Sequence, residues 1–460
     1  FPDRSPVERW ALARRLQLRG QLPIDPLASE LGGGTAFPFT LRLRRTVDTS
    51  SLRAQMIGVK IAAVQSPATT GRSFIARLRQ LPAAPFVECC RAQDRAADQR
   101  GPILESMTIT ADNAPPPPVL RHGGRVLPAV TVDTYNEELR DEEGFVGDRA
   151  SGRAFRAMLE DWRDGLRAHG DVPFGDTPTH EISKSKLDKL LASADPLAAG
   201  LVHTIVEEFA QELATVVRRF LRLEGWVGTE RIVVGGGLSA SHIGELAMGR
   251  AAVLLKGEGI PIDLRAIGNH PDQAGLIGAV QLAPSWVLAG HDAILAADIG
   301  GTNLRVGVVE LNMKKGDLSK AAVSKYLHWR HRDDAPTRDE ALARIAAMAE
   351  ELMTEATARK LKLAPFVGIG CPGLIDEHGV IVSGGQNLPG NWEGEGFNLA
   401  AELAGRLPRI RDHDPVVILH NDAVVQGLSE VPAMTDVSRW GVLTIGTGLG
   451  NARFTNRVRD

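Results

Sequence analysis

Residues Ile294–Asn303 read Ile-Leu-Ala-Ala-Asp-Ile-Gly-Gly-Thr-Asn, an apolar run that breaks at two glycines and is followed by a second apolar run, Leu304–Leu311. Short apolar runs bounded by turn residues predict buried strands, so this stretch predicts two strands joined by the turn Asp298–Asn303. Two glycines let the backbone turn tightly and aim amide N–H groups at an anion. The threonine adds a hydroxyl, and a carboxylate at a strand end can hold Mg2+ through water. A second turn of the same kind, Gly446-Thr-Gly-Leu-Gly450, follows the apolar run Gly441–Ile445 and precedes Ala452–Thr455. Two such turns can grip one triphosphate from opposite sides, although each alone is also compatible with a plain hairpin.

Outward from these turns, strand and helix patterns alternate. Residues 150–169 carry a helical pattern. Between Pro196 and Leu223, the residues Leu197, Leu201, Ile205, Phe209, Leu213, Val217 and Phe220 recur every three or four positions, one apolar stripe of a long helix. Arg231–Val234 predicts a buried strand running into Gly235-Gly236-Gly237; a strand near Ile262–Ile267 and a helix over Gln273–Leu282 follow. Thr337-Arg-Asp-Glu340 is a capping box opening a helix to about Leu361. Strands recur at Phe366–Gly370 and Val416–Leu419. The fold class is therefore α/β, with glycines at strand ends, where such sheets place ligands.

At about 150 residues per domain, the 460 residues allow two or three domains. No stretch approaches the roughly 20 apolar residues of a membrane span, and the first residues lack the layout of a secretory signal, so the expected location is the cytoplasm. Three cysteines, Cys89, Cys90 and Cys371, make neither a disulfide framework nor a zinc site. The net charge of −3 makes no electrostatic case for nucleic acid, but it is unevenly spread. Residues 1–106 hold 15 Arg, one Lys and nine acidic residues, a net of +7, which leaves −10 for the remainder. This basic, Pro-containing segment, 1–128, reads as an accessory domain, a disordered arm, or an upstream extension of a chain whose natural start is Met107. A helix over Pro6–Arg19 is its one periodic feature, and a helix-turn-helix over Val7–Leu31 is interrupted by Pro23, Pro26 and Gly32–Gly34. Residues 107–128, through Pro115–Pro118, read as a disordered lead.

Taken together, DIGGTN, GIGCPG (Gly368–Gly373), NLPGNW (Asn387–Trp392), HNDAVVQGLSE (His420–Glu430), GTGLGN (Gly446–Asn451) and VVGGGLS (Val233–Ser239) resemble the ROK family of sugar kinases and repressors, within the actin-like ATPase fold. The resemblance covers residues 131–457. It implies a bilobed α/β protein with ribonuclease H-like sheets, closing over a sugar and ATP with Mg2+, and it favours a homodimer. The motif order departs from the family, in which the DIGGT strand comes first and the glycine-rich adenosine loop and AGLIGA helix come last. Here VVGGGLS and Ala274–Ala279 precede DIGGTN, as in a circular permutation whose former ends are joined through Pro284–Asp292. A tether that short requires the joined elements to be near neighbours. The expected halves are 129–290, with the adenosine motif, and 291–460, with the phosphate loops and the catalytic aspartate.

The resemblance assigns roles position by position. Asp422 matches the base that accepts the proton of the attacking sugar hydroxyl; its alternative reading is the N-cap of a helix over Ala423–Leu428. Asn421 would hold a sugar hydroxyl. Asn387, Pro372 and Gly373 would line the sugar pocket, with Trp392 either packing on the sugar or anchoring its loop. Asp298 would position Mg2+ through water. Gly300, Gly301, Thr302 and Asn303, with Gly446, Thr447 and Gly448, would bind phosphate, and Gly235, Gly236, Gly237 and Leu238 would admit the adenosine. Other features of the family are missing. The Glu and His that bind sugar hydroxyls and the zinc loop are not recognisable, Gly147 stands where a further sugar-binding Glu would fall, and no zinc is expected. Glu142 and Glu143 either substitute or belong to a solvated acidic run. The expected function is ATP-dependent phosphorylation of a hexose or related sugar. The alternative is a non-catalytic sugar- or nucleotide-sensing regulator of the same family, and the residues do not separate ATP from a polyphosphate donor.

Overall fold

Aliphatic and β-branched runs that end in glycine, asparagine or aspartate build the sheets of the computed structural model, which describes residues 120–142, 144–393 and 396–457. In chain order, the elements of the first half are β1 (Val130–Tyr135), α1 (Gly152–Arg167), α2 (Lys184–Leu191), α3 (Pro196–Phe220), β2 (Arg231–Gly235), α4 (His242–Gly257), β3 (Asp263–Ala266) and α5 (Pro271–Gly278). There follow β4 (Ala293–Ile299), β5 (Leu304–Glu310), β6 (Ala322–Trp329), α6 (Arg338–Ala358), β7 (Leu363–Cys371), α7 (Leu399–Arg406), β8 (Val416–Asn421), α8 (Asp422–Leu428), β9 (Arg439–Ile445) and β10 (Leu449–Asn456). The capping box of α6 forms as predicted, with the Thr337 side chain and the Glu340 backbone and carboxylate satisfying each other.

One sheet has the order β1-β10-β9-β2-β3 and the other β8-β7-β4-β5-β6. Residues 439–456, grouped by sequence with the second half, pair with β1 and β2 instead, because Trp440–Thr444 runs parallel to Arg231–Gly235. Both sheets share one pattern: two antiparallel pairs followed by two parallel ones.

Three apolar clusters hold these layers. Helices α1, α3 and α4 cover the outer face of the first sheet through Phe155, Phe209, Leu213 and Ala251. Helix α3 buries more than one stripe, since Val202, Val206 and Val216 are enclosed as well, whereas Leu197 in its first turn is exposed. Helices α6 and α7 cover the second sheet. Helices α5 and α8 lie between the sheets, where Leu276, Val280, Val424 and Leu428 meet Val233, Val442, Ile294 and Ile418. Among the described residues no single helix is long and apolar enough to cross a membrane.

Residues 120–128, expected within a disordered lead, are part of this packing. Gly123 N–H donates to the Leu419 carbonyl at 2.9 Å and Leu419 N–H donates to His122 Nδ1 at 3.2 Å, which covers the outer edge of β8. An edge strand otherwise presents unpaired backbone groups. The readings of residues 1–119, including the helix over Pro6–Arg19, Met107 and Cys89 and Cys90, lie outside the described residues, as does Glu143.

Candidate active site

The turn after β4 closes on itself, with Gly300 N–H donating to the Asn303 carbonyl at 2.9 Å. The turn between β9 and β10 does likewise, Gly446 N–H donating to the Gly448 carbonyl at 3.0 Å. The two turns come from different sheets and meet through their threonines, Thr302 Oγ1 and Thr447 Oγ1 being 2.9 Å apart. The turn after β2 closes against the same place. Gly236 has a φ of +89°, and a Cβ there would lie 2.3 Å from the Ile445 carbonyl oxygen, so both conformation and space demand glycine. Gly301 abuts the NLPG loop, a Cβ there falling 2.7 Å from Asn387 Cβ.

These approaches enclose a cleft of about 990 Å³ whose lining includes Gly236, Gly237, Leu238, Asp298, Gly300, Gly301, Thr302, Asn303, Pro372, Gly373, Asn387, Asp422, Gly446, Thr447 and Gly448. The size suits a nucleotide with a second small ligand, as pockets for one drug-sized molecule span about 300–1,000 Å³. Gly147, Asn136 and Lys184 also line it, and nothing in the local sequence marks the last two. Glu142 is exposed and outside this lining.

Three of the expected site residues lie outside the lining. Gly235 is buried within β2, one residue short of the turn. Trp392 is buried, donates its indole N–H to the Pro389 carbonyl, and packs edge-on against Phe397 at 5.7 Å, so it anchors its own loop. Asn421 is buried and committed to backbone: its Oδ1 accepts from Ala423 N–H at 3.0 Å and Val424 N–H at 3.3 Å, while Nδ2 donates to the Gly373 carbonyl at 3.0 Å. Asn421 is thus the N-cap of α8. That leaves Asp422, the first helical residue, partly exposed to the cleft, with Oδ1 accepting from Ala423 N–H at 2.9 Å.

Burial, followed by the charge of Asp298, pushes the Asp422 carboxyl up to about 7. Asp298 is itself raised, again mainly by burial, and Arg305 opposes the shift from 3.4 Å. Arg305 also pairs with Asp272 at 2.5 Å. Among the described residues no group of three or more His, Cys, Asp or Glu side chains is arranged to hold a metal ion. A Mg2+ that arrives on a nucleotide keeps several waters and asks for one or two carboxylates. Asp298, facing the cleft, fits that demand.

Histidines to which the sequence reading gave no role support the site. His331 Nε2 lies 2.8 Å from the Gly300 carbonyl, and His328 Nε2 2.9 Å from Asn303 Oδ1. His420, fully buried, has Nδ1 accepting from Asn421 N–H at 2.8 Å and Nε2 donating to the Gly124 carbonyl at 3.1 Å. This pattern uses the neutral ring completely, and burial holds the pKa down at about 4. The unfolded state binds the proton first, so the contribution of His420 is intact above about pH 6.5 and is lost as pH falls toward 4, at up to about 1.4 kcal/mol per pH unit. Urea unfolding between these limits is expected to give a shallower pH slope for His420→Gln than for the wild type. Equal slopes would show that the ring does not stay neutral in the fold.

The fold and cleft define a mixed α/β protein with two related sheets and a cleft lined by glycine turns between them. No family model matches the chain. Over 165 residues, 35% of this chain, it is 30% identical to the glucokinase of Thermotoga maritima, of which the match covers 44%. The chain thus spans less than half the length of that relative. Among solved structures, the Lmo2764 protein of Listeria monocytogenes, a candidate N-acetylmannosamine kinase, is 27% identical over 36% of this chain and 47% of its own, with a TM-score of 0.26. An exopolyphosphatase from Cytophaga hutchinsonii is 14% identical over 35% of this chain and 51% of its own, with a TM-score of 0.21.

Proposed function

We propose that the chain transfers the terminal phosphoryl group of ATP to a hydroxyl of a hexose or related sugar, with Asp422 as general base. The observation that carries this reading is the placement of one cleft-facing carboxylate, freed from helix capping by Asn421, opposite two glycine turns whose threonines touch. Phosphoryl transfer asks mainly for positioning and for charge stabilisation. Asp422 accepts the hydroxyl proton. The amides of Gly301, Thr447 and Gly448 and the hydroxyls of Thr302 and Thr447 stabilise charge on the transferring group, while the Gly300 and Gly446 N–H groups close their own turns. Asp298 would hold Mg2+, which when bound would neutralise phosphate charge. Asn387, Pro372 and Gly373 flank the acceptor, while Asn421 acts from beneath by holding Gly373. Gly236, Gly237 and Leu238 admit the adenosine. Similarity to a glucokinase supports sugar as the acceptor class. The test is a panel of sugars with ATP and Mg2+ and coupled detection of ADP. Sugar-dependent ADP release is expected, and none across hexoses, N-acetylhexosamines and polyols would sink the reading.

The same reading includes a permuted chain order. In the second sheet the shared pattern is traced as β4, β5, β6, then β7 and β8. In the first, the equivalent succession is β9, β10, β1, β2 and β3, which passes from the late strands to the early ones. Val130 pairs with Asn456, and Arg457 N–H donates to the Ala129 carbonyl at 3.0 Å, a gap that a short hairpin loop would bridge. Residues 284–292 would then be the joint between former ends, and helix α5 lies against β4. A collinear alignment follows one side of such a joint, in keeping with the partial match to the glucokinase.

A further inference from the structure

Lys184 is one of several cations of the cleft, with Arg153, Arg156, Arg330 and Arg332, that have no role in the mechanism above. Lys184 opens α2 just after the N-cap Ser183, whose hydroxyl accepts from Lys186 N–H at 3.2 Å. Its side chain is half-buried and crosses to the glycine turn after β2, where Nζ donates to the Gly237 carbonyl. The contact is close enough that a Cβ on residue 237 would lie 2.8 Å from Nζ. Among the described residues no carboxylate forms an ion pair with this ammonium. The two acids nearest to it in charge effect, Asp272 and Asp188, are engaged elsewhere, Asp272 with Arg305 at 2.5 Å and Asp188 with Ile243 N–H at 2.9 Å. Arg156, the other charge acting on Lys184, is also a cation.

A partly desolvated ammonium is costly unless something negative meets it. Carboxylates line the same cleft, Asp298 and Asp422 among them, but none of them pairs with this ammonium; beside them stand the glycine turns and the touching pair Thr302 and Thr447. The missing partner is therefore an anion supplied by the ligand. Its place beside Gly237, and not beside Asp422, puts it on the donor side.

We infer that Lys184 is a phosphate-binding residue, its ammonium taking an oxygen of the nucleotide's phosphate chain beside the Gly236–Gly237 turn. This rests on the nucleotide-dependent reading proposed above. A lysine suits the task as a compact charge with three donors: one N–H stays on Gly237 and the others turn to phosphate.

The test is calorimetric binding of ATP and of adenosine to the full chain, as wild type, Lys184→Met and Lys184→Arg. Lys184→Met is expected to weaken ATP binding by about 10- to 100-fold, the range of a hydrogen bond to a charged group. Adenosine binding should stay within about twofold, and Lys184→Arg should keep most of the ATP affinity. The ratio of the two affinities is insensitive to a fraction of misfolded protein. Unchanged ATP binding in Lys184→Met beside a wild type that binds ATP overturns the inference and leaves the kinase reading standing. Equal losses for ATP and adenosine also overturn it, since the lysine would then merely brace the turn. A wild type that binds neither ligand removes the nucleotide reading itself and this inference with it.

Discussion

Asp422→Asn is expected to lower kcat/KM for the best sugar of the panel by at least about 100-fold, the usual worth of a positioned base, without unfolding the protein. The amide is isosteric, and its oxygen can keep the bond from Ala423 N–H that Asp422 accepts at 2.9 Å. Substitution also removes a carboxylate raised by burial and by the charge of Asp298, so stability should hold or rise slightly. A functional group that costs stability is typical of a site tuned for chemistry. The wild type should show a matching pH dependence. A base with its pKa at about 7 must lose its proton before it can accept another, so kcat/KM should climb with pH up to about 7 and level off above. Steady-state rates and urea unfolding on the same preparations check both parts. Turnover of Asp422→Asn within about tenfold of wild type would remove Asp422 from the role of base.

Gly278→Ala is expected to be the most disruptive single methyl in the described fold. A Cβ at this last residue of α5 would sit 1.7 Å from the Val425 carbonyl oxygen and 3.0 Å from Ser429 N, backbone atoms of α8 and of its C-cap. Side chains can rotate away from a clash, but backbone cannot, so the two helices must separate. Overpacking costs about 1–3 kcal/mol, and a contact this short belongs at or beyond the upper end. The damage also reaches the site, because α8 begins at Asp422 and a displacement of about 1 Å can cost about 100-fold in rate. Both unfolding free energy and turnover should fall. A loss of less than about 0.5 kcal/mol, the level of an ordinary surface change, would mean that the helices are not held backbone to backbone.

The legible part of the site was local. Glycines with a threonine at a strand end give a tight turn wherever that strand lies, and both glycine turns, like the capping box at Thr337, formed where the residues placed them. Asp422 was legible as a carboxylate at a strand end, but its freedom was not. That Asn421 and not Asp422 caps α8 goes with a distant contact: the Gly373 carbonyl, 48 residues away, accepts from Asn421 Nδ2 and so turns its Oδ1 to the helix N–H groups. Trp392 stayed ambiguous for the same kind of reason, since an indole on a loop packs inward or outward according to what lies beneath, here Phe397. Lys184 carried no local signal, because the carbonyl it reaches, that of Gly237, is 53 residues on.

By itself, the sequence determined the alternation of strand and helix, the glycine turns and the chemical types available to the site, because each follows from periodicity and backbone freedom within a few residues. Tertiary structure alone decided that β9 and β10 complete the first sheet beside β1 and β2, that residues 120–128 cover the edge of β8, and which polar side chains face the cleft. Strand pairing and burial are settled by partners far along the chain, and a side chain's function depends on whether packing leaves its polar atoms free.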